Sequence, residues 1–381
     1  MKLLILGCNE IADFIVSRLI AVKDITEICI AARDKSQCDV LRNKYQGKGA
    51  RIMTARVDLD NVAGTRMMLS ITQPDLIVNL APLSLSLSVM KLAIESGANY
   101  IDCALYNWEN NDLLSDQFTL FSEFRDKEKM AIAGCGMSPA LLSCMIRNTL
   151  SNGFLKIDSA DIYEMNMYAE DKTTGSASLI ENGALGVKDP MSLKLETNFD
   201  AFGKMSVCLS DSPAIRVFLK EYTDVPNVRS FVSFVPEEKP DYSKELELLG
   251  MNSEEPIEVA SGVSISPKAF WQLMQDSKKT MKSLSGPCGI GVVVTGDGAN
   301  SRKKRIVYTT SDNTMSLDKY GMPSKLLLDA YTLLTGINLI VNKKWQRSGV
   351  YSPTSFNADL LIEGLKDNGL GIRFKDLPVE E

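Results

Sequence analysis

The residues with the clearest chemical signature lie in the first loop of the chain, Gly7-Cys8-Asn9-Glu10-Ile11-Ala12. They follow the apolar run Leu3–Leu6 and precede apolar residues at helical spacing, which predicts a strand, a glycine turn and a helix in that order. The exposed N–H groups at the start of such a helix bind a pyrophosphate. The loop is therefore typical of a dinucleotide-binding turn.

This loop departs from the G-x-G-x-x-G pattern at one position. Gly7 supplies the turn, and Ala12 is an accepted third residue for close packing of helix on strand. Asn9 stands where a second glycine lets the backbone approach the phosphates. Because asparagine tolerates left-handed backbone angles, we expect the turn to be kept around a narrower phosphate site. The alternative is a strand–helix unit that binds no nucleotide.

The end of the second predicted strand, Ile25–Ala32, bears on the choice of cofactor. An Asp or Glu at this point binds the ribose 2′-hydroxyl of NAD, whereas here the chain continues Arg33-Asp34-Lys35. Two cations suit a 2′-phosphate, so NADP is predicted rather than NAD. Two alternatives stay open: Asp34 reverses this preference, or Arg33 is only a solvated residue at a strand end.

The composition excludes several classes of function. The 381 residues suffice for two domains, and the net charge of −6 argues against a nucleic-acid surface. The basic run Arg302–Arg305 is predicted to be a hairpin turn. No apolar run approaches the roughly 20 residues that cross a membrane. The chain has no histidine and no C-x-x-C pair, so no metal site is predicted. Its cysteines are expected to be reduced thiols in a cytoplasmic protein; they stand at positions 8, 29, 38, 103, 135, 144, 208 and 288.

The elements that must position the first loop alternate between strand and helix. Such alternation predicts an α/β fold built on a doubly wound parallel sheet of the Rossmann type. Gly134–Met137 is predicted to be a turn, after which Ser138 caps a helix that has Pro139 at its first position. The predicted strands cover residues 25–32, 51–57, 73–81, 100–104 and 130–133, and the predicted helices cover residues 10–22, 36–45, 62–70 and 86–96.

From about residue 155 the pattern changes to short strands separated by Gly, Asp, Asn and Pro. This predicts a second domain of the α+β type with an antiparallel sheet. The segment 349–353 and a helix over 355–367 are predicted to close the chain. The predicted strands of this part cover residues 159–167, 193–197, 228–235, 289–295 and 305–309, and its clear helices cover 266–280 and 322–335.

Several stretches in order and at fixed spacing resemble the saccharopine dehydrogenase family, in particular its carboxynorspermidine dehydrogenase-like branch. They are Ala31–Asp39, Val57–Asn61, Pro74–Asn79, Gly97–Asp102, Gly134–Gly136, Ile265–Pro267 and Gly349–Val350. The resemblance implies an NADP-dependent oxidoreductase that reduces the imine formed between an amino acid and an aldehyde, or catalyses the reverse oxidation. It also implies a homodimer and a split dinucleotide-binding domain. Residues 1–140 plus roughly 337–381 would form that domain, and residues 141–336 an inserted substrate and dimerisation domain.

The same resemblance assigns the cofactor contacts residue by residue. In order along the dinucleotide, the expected contacts are Gly7, Asn9, Glu10 and Ile11 at the pyrophosphate, Ala32 and Arg33 at the 2′-phosphate, Asp58 and Leu59 at the adenine, and Asn79 and Ala81 on the nicotinamide side.

The chain departs from the family where the chemistry is expected. Pro82–Ser86 replaces a tyrosine-bearing segment, Ser138 replaces the carboxylate of a Gly-Phe-Asp-Pro-Gly turn, and Glu170–Gly175 replaces an acidic loop with a histidine. A carboxylate, a phenol and an imidazole are the groups that move a proton to or from an imine nitrogen. Asp102 and Tyr106 are the best remaining polar candidates, and hydrogen bonding at a strand end is the alternative for both.

Two functions therefore follow from the sequence. The first is an NADP-dependent oxidoreductase acting on an imine. Its candidate cations for substrate carboxylates are Lys204, Arg216 and Lys220, and ordinary surface cations are the alternative for all three. The second is a catalytically degenerate relative that acts as a nucleotide-binding sensor or as a partner subunit.

Overall fold

The computed structural model describes residues 1–105, 116–167, 175–199, 203–221, 225–234, 243–260, 263–271 and 285–379. Tyr106 and most of the predicted loop 170–175 lie outside these residues. The strands are β1 (Lys2–Leu6), β2 (Glu27–Ala32), β3 (Arg51–Arg56), β4 (Leu76–Asn79), β5 (Asn99–Asp102), β6 (Met130–Ile132), β7 (Lys156–Met165), β8 (Ala177–Glu181), β9 (Ala184–Lys188), β10 (Lys194–Phe199), β11 (Gly203–Leu209), β12 (Asn227–Phe234), β13 (Ile257–Ala260), β14 (Val263–Ile265), β15 (Pro287–Asp297), β16 (Arg302–Asp312), β17 (Gly349–Tyr351) and β18 (Arg373–Leu377). The helices are α1 (Glu10–Leu19), α2 (Lys35–Tyr45), α3 (Val62–Thr72), α4 (Ser86–Ser96), α5 (Phe121–Asp126), α6 (Leu142–Ser151), α7 (Pro213–Glu221), α8 (Ser243–Leu248), α9 (Asn313–Tyr320), α10 (Ser324–Val341) and α11 (Ala358–Asp367).

The first sheet has the order β17-β6-β5-β4-β1-β2-β3, and every pair in it is parallel. Leu3–Leu6 of β1 are buried, because helices cover both faces of the sheet. The strand order reverses between β1 and β4, and a ligand crevice forms at such a switch point, outside the carboxyl ends of the strands. The predicted doubly wound parallel sheet is confirmed.

The second sheet has the order β10-β11-β12-β7-β15-β16-β18, with β8 pairing to β12 and β9 to β8. The sequence predicted an antiparallel sheet, whereas the sheet is mixed, since β12 runs parallel to β7. Parallel strands need a long connection, and here β8–β11 and α7 provide it between β7 and β12. A separate two-stranded sheet is formed by β13 and β14.

The end of the chain divides between the two sheets. The sequence placed residues 337–381 with the first sheet, and β17 does pair there with β6. The last strand, β18, instead pairs with β16 in the second sheet. The Nε of Arg305 on β16 donates to an Asp376 carboxylate oxygen at 2.6 Å across this pair.

Two local predictions are also corrected. Arg302–Arg305 is the start of β16, and the turn lies just before it, where the Gly298 N–H donates to the Ser301 carbonyl at 2.9 Å. Ser138 does not cap a helix, since its backbone is extended and its Oγ lies 3.1 Å from the Oγ of Ser212. The proline that follows disfavours helical angles at Ser138, and α6 begins only at Leu142.

Helix α10 packs against the first sheet. A Cβ on Gly336 would lie 2.6 Å from the Cys135 Sγ, so glycine lets the helix approach the loop after β6. The ring of Tyr331 meets that of Phe14 on α1 edge to face, with centroids 4.8 Å apart. Among the described residues α10 is the helix long and apolar enough to cross a membrane, yet 78% of its apolar window is buried within the fold, as in a core helix.

Candidate cofactor site and active site

The turn after β1 is built around Gly7. Its φ of +113° lies in a region that favours glycine, and a Cβ there would be 2.7 Å from the Leu80 carbonyl oxygen. The Gly7 N–H donates to the Ala31 carbonyl at 2.9 Å, and the Leu80 N–H donates to the Leu6 carbonyl at 2.7 Å. Gly7 therefore lies between the ends of β1, β2 and β4, at the switch point of the sheet.

Asn9 adopts an extended backbone with φ −132° and ψ −173°, so the expected turn is kept without left-handed angles at this residue. The residue is the N-cap of α1 instead, and its Oδ1 accepts the Ala12 N–H at 3.1 Å. An N-cap needs extended angles for its side chain to reach back to the first turn. The cap uses one first-turn donor and leaves the N–H groups of Glu10 and Ile11 directed out of the helix end, where an anion can bind.

The side chains of these two residues differ in their surroundings. Glu10 is exposed, whereas Ile11 packs in the main apolar core at 7% exposure. Ile11 can therefore contact a cofactor only through its backbone. The carboxylate of Glu10 sits at the positive end of the helix dipole, where it lowers the attraction for a second anion.

The turn after β2 contains the expected 2′-phosphate residues. Ala32 ends β2, and the Nε of Arg33 donates to an Asp58 oxygen at 3.1 Å. A second guanidinium nitrogen of Arg33 contacts the Asp60 carboxylate. The Arg33 side chain remains 67% exposed, so a phosphate can reach it.

The two neighbours of Arg33 have other partners. Asp34 is the N-cap of α2, and its hydrogen bonds from the Ser36 hydroxyl and N–H lower the pKa of its carboxyl below the ordinary value. Lys35 donates to Asp39 one turn along the same helix at 2.8 Å. Arg33 is thus the cation of this turn that faces the carboxyl edge of the sheet next to Asp58.

Asp58 and Leu59 follow β3 at the expected adenine end. Leu59 is buried at 8% exposure in the apolar cluster beneath α3 and α4. The Asp58 carbonyl accepts the Thr65 hydroxyl at 3.1 Å, which ties this turn to α3. The Asp58 carboxylate is half-exposed and paired with Arg33.

A buried hydrogen-bond chain links the ends of β4 and β5. The Asn79 amide donates to the Tyr100 hydroxyl at 2.9 Å, and that hydroxyl donates to the Asp102 carboxylate at 2.6 Å. The other side of the Asn79 amide accepts the Ala81 N–H at 3.1 Å. Asn79 is 4% exposed, so it shapes the turn on the nicotinamide side from beneath.

Asp102 is surrounded by donors and is 3% exposed. Its carboxylate accepts the Gly134 N–H at 2.8 Å and the Gln117 amide as well as the Tyr100 hydroxyl. Burial raises the pKa of Asp102 to about 7, against the opposing effect of these hydrogen bonds. The geometry makes Asp102 a link between the ends of β5 and β6.

A cluster that the sequence did not single out lies beside this link. The N–H of Met137, in the loop after β6, donates to Asp329 Oδ1 on α10 at 2.7 Å. The ammonium of Lys325 lies 3.4 Å from Asp329 Oδ2. Glu164, on β7 of the second sheet, is 4% exposed and acts electrostatically on Lys325. The one sequence signal for this cluster was the pair of charges at i and i+4 in an otherwise apolar helix.

Of the three cations predicted to bind substrate carboxylates, the two whose side chains are described lie on different elements. Lys204 is exposed on β11 and lies 3.7 Å from Glu196. Arg216 is on α7, which packs against the segment Met137–Leu141 beside the first sheet. The side chain of Lys220 lies outside the described residues. Among the described residues, no group of three or more Cys, Asp or Glu side chains is arranged to hold a metal ion.

These residues fit a dinucleotide at the carboxyl edge of the first sheet. Gly7 keeps the space that a Cβ would fill, two helix N–H groups point outward, and an exposed guanidinium stands at the end of β2. The fold and this site define a dinucleotide-binding protein of the Rossmann class.

Residues 3–132 match the family model described as the saccharopine dehydrogenase NADP binding domain. The resemblance to the saccharopine dehydrogenase family is confirmed, and residues 3–132 belong to its NADP-binding domain family. Over these residues the chain is similar to the oxidoreductases of this family, and the match supports NADP as its nucleotide cofactor.

The similarity to curated relatives extends over nearly the whole chain. Carboxyaminopropylagmatine dehydrogenase of Synechocystis is 23% identical over 388 residues, which cover 97% of this chain and 96% of the relative. Carboxynorspermidine synthase of Vibrio cholerae is 19% identical over 403 residues, with coverage of 97% and 96%. Among solved structures, apo saccharopine dehydrogenase (L-Glu forming) of Saccharomyces cerevisiae superposes with a TM-score of 0.72. That structure is 13% identical and covers 99% of this chain and 100% of its own, so it shows that the fold is shared.

Proposed function

We propose that this protein is an NADPH-dependent reductase of an imine formed between an amino acid and an aldehyde, working as well in the reverse direction. The observation that carries the proposal is the phosphate cradle at Gly7, kept in a chain that is similar along its length to a carboxyaminopropylagmatine dehydrogenase. The hydride is supplied by the cofactor when it is bound.

The residues of this chain then bind and orient. The N–H groups of Glu10 and Ile11 would hold the pyrophosphate, and Asn79 fixes the turn at Ala81 beside the nicotinamide side. An exposed Arg33 at the end of β2 favours the extra phosphate of NADP over the bare ribose of NAD, since a guanidinium binds phosphate through charge-assisted hydrogen bonds.

Specific observations favour the alternative of a catalytically degenerate relative that senses a nucleotide or serves as a partner subunit. Ser138 stands where the family has a carboxylate, and it lies against Ser212. Asp102 is enclosed by donors and removed from solvent. A loss of general acid or base catalysis would lower the rate by about 10²–10⁴.

One experiment separates the two. NADPH is titrated by fluorescence, and the loss of NADPH absorbance is then followed with pairs of amino acids and aldehydes. Binding followed by turnover on one pair supports the reductase. Saturable binding without turnover on every pair supports the sensor, and no binding at all supports a partner subunit.

A variant of the cradle tests the binding step. Gly7→Ala places a methyl group 2.7 Å from the Leu80 carbonyl oxygen and is expected to abolish NADPH binding. Gly371→Ala is the matched control, because no atom lies within 4 Å of its Cβ position. Equal NADPH affinity in the two variants would contradict the assigned cradle.

We further propose a cytoplasmic homodimer. The eight cysteines are free thiols, as a reducing compartment favours. The exposed side chains of Leu248, Ile257 and Val259 form apolar surface that a second copy would bury. Light scattering over a concentration range tests the dimer, and a monomer mass at micromolar concentration would contradict it.

A further inference from the structure

Four ionisable side chains from three parts of the chain lie together where the two sheets join. We call them the junction cluster: Cys103 after β5, Glu164 on β7, and Lys325 and Asp329 on α10. These three segments are far apart in the sequence, so the cluster exists only in the folded protein.

Asp329 fixes one side of this cluster. Its Oδ1 accepts the Met137 N–H at 2.7 Å, and its side chain is 12% exposed. A Cβ on Gly136 would lie 2.6 Å from this oxygen and 2.4 Å from the Cys103 carbonyl oxygen. The loop after β6 therefore packs closely against both Cys103 and Asp329, and this packing sets the distance between α10 and the first sheet.

Lys325 is the member that a ligand can reach. Its side chain is 34% exposed, and its Nζ lies 3.4 Å from Asp329 Oδ2. The ionisable groups facing it include the carboxylates of Asp329 on its own helix and Glu164 from β7, and the Cys103 thiol from the loop after β5. Asp329 and then Glu164 raise the pKa of Lys325 above its ordinary value, despite partial burial, so the ammonium form is kept at neutral pH.

The junction cluster lies at the edge of the first sheet where a group that reacts with the substrate would be expected. Met137 and Cys103 lie just past the carboxyl ends of β6 and β5, the edge of an open α/β sheet where ligands bind. Asn79 ends β4 at the same edge. Through Asp329, which accepts the Met137 N–H, Lys325 is therefore held beside the loops after β5 and β6 at this edge, where a substrate would lie.

We propose that Lys325 is a catalytic residue that gives a proton to the imine nitrogen, with Asp329 as its positioning residue. This role rests on the proposed function. It supplies a proton donor to a site that lacks the family's carboxylate, phenol and imidazole at their usual places.

The step balances as follows. A hydride adds to the imine carbon, the electron pair of the C=N bond moves to nitrogen, and nitrogen takes the proton from the Lys325 ammonium. A C–H and an N–H bond form at the former imine, a C–H bond of the nicotinamide and an N–H bond of Lys325 break, and Lys325 is left as a neutral amine. The imine carbon is reduced, and NADPH, the hydride donor of the proposed function, is oxidised to NADP⁺. Water returns a proton to Lys325 before the next turnover. In the reverse direction the neutral amine of Lys325 accepts the proton.

Three substitutions separate proton donation from charge and from packing. Lys325→Met removes charge and proton, and a loss of about 10²–10⁴ in kcat is expected with NADPH affinity unchanged. Lys325→Arg keeps the charge but holds its proton too tightly to donate, so kcat falls while KM stays near that of the wild type. Lys325→His donates only below its pKa of about 6.5, so its activity should rise as the pH falls through that value.

The wild type should keep its activity from neutral pH up to about 10.4, the ordinary lysine pKa. Lys319→Met, at an exposed lysine of α9, is the control and should match the wild type. The melting temperature and NADPH titration of each variant establish that it is folded. A readout independent of turnover is NMR of ¹³C-methylated lysines, with the Lys325 signal assigned by its loss in Lys325→Arg. It should titrate above the ordinary lysine value.

The outcomes are distinguishable. An active wild type with a Lys325→Met variant of equal kcat overturns the role of Lys325 and leaves the reductase intact. An Arg variant as active as the wild type shows that charge alone is needed and also overturns proton donation. A Lys325 signal that titrates below the ordinary lysine value contradicts the ion-pair geometry. A wild type that binds NADPH but turns over no amine and aldehyde pair overturns the proposed function and this role together.

Discussion

Arg33 binds two carboxylates at the very place where a 2′-phosphate is expected. Its guanidinium contacts Asp58 and Asp60, and all three side chains are at least half-exposed. A 2′-phosphate must therefore compete with Asp60 for the same donors and approach a negative charge. With Arg33 at the 2′-phosphate, as proposed, we expect Asp60 to weaken the preference for NADP.

The first prediction concerns this competition. Asp60→Asn is expected to tighten NADPH binding by up to about fivefold, as removal of a competing exposed ion pair permits, and to leave NADH unchanged. Arg33→Ala is expected to weaken NADPH binding by about tenfold or more, since it loses charge-assisted hydrogen bonds to phosphate. Fluorescence titration with both nucleotides measures this, with Asp126→Asn, an exposed carboxylate just before β6, as control. Equal losses for NADPH and NADH in Arg33→Ala would contradict the 2′-phosphate assignment.

The second prediction concerns Asp102 and pH. Its pKa is about 7 in the folded protein against 3.8 ordinarily, so the folded state binds more protons between these values. Stability from this group is therefore present below about pH 4 and is lost as the pH rises to 7, by on the order of 4 kcal/mol. Asp102→Asn should remove this slope. Urea unfolding of both proteins at pH 5 and pH 8 tests it, and parallel pH dependence would contradict the buried site.

Residue chemistry was predictable from the sequence where it depends on the neighbouring residues. Gly7 and the helix that follows were found because a turn and a 3.6-residue period are local signals. The backbone conformation of Asn9 was not predictable, because a left-handed turn competes with capping of α1. Capping is favoured by the hydrogen bond from the Ala12 N–H. The pair Lys325 and Asp329 was visible, yet their meeting with Glu164 depends on contacts over some 160 positions of the chain, for which a single sequence carries no signal.

At the scale of elements, α10 is the helix whose placement decides the geometry of the site. It carries Lys325 near its start and Gly336 near its middle, so its packing on the first sheet sets where the ammonium lies. Its length was underestimated from the sequence, which predicted a helix over 322–335. The extension to Val341 follows from apolar residues that pack only because α11 and the first sheet enclose them.

The third prediction tests this packing. Gly336→Ala puts a Cβ 2.6 Å from the Cys135 Sγ and 3.0 Å from the Ile101 Cδ1, and overpacking of this kind costs about 1–3 kcal/mol. This cost equals or exceeds the gain of about 1 kcal/mol in helix propensity that alanine brings. Urea unfolding should therefore show a less stable variant, whereas Gly371→Ala should match the wild type. A Gly336→Ala variant as stable as the wild type would show that α10 can shift without cost.

The sheet to which β18 belongs could not be predicted from the sequence. The strand-like residues Arg373–Leu377 give no indication of which of two sheets they join. Their pairing with β16 depends on the edge that β16 leaves open, a property of the assembled sheet.

At the scale of the whole molecule, β18 covers that open edge. The fourth prediction is that deletion of residues 373–381 lowers the melting temperature by about 2 °C or more, because the strand pairing and the Arg305–Asp376 pair are lost. NADPH affinity should be unchanged, since β18 belongs to the second sheet. Deletion of residues 380–381 alone is the control. A deletion that abolishes NADPH binding in a folded protein would contradict this separation of roles.

The path of the chain has a mechanical consequence. It leaves the first sheet through α6 to β7, returns from β16 through α10 to β17, and leaves again through α11 to β18. Three chain crossings between the two sheets restrict a hinge rotation more than one crossing does, because all three connections must change conformation together. We therefore expect the two halves to slide by small amounts past one another as ligands enter and leave, with the spacing between the hydride donor and its acceptor held nearly constant throughout.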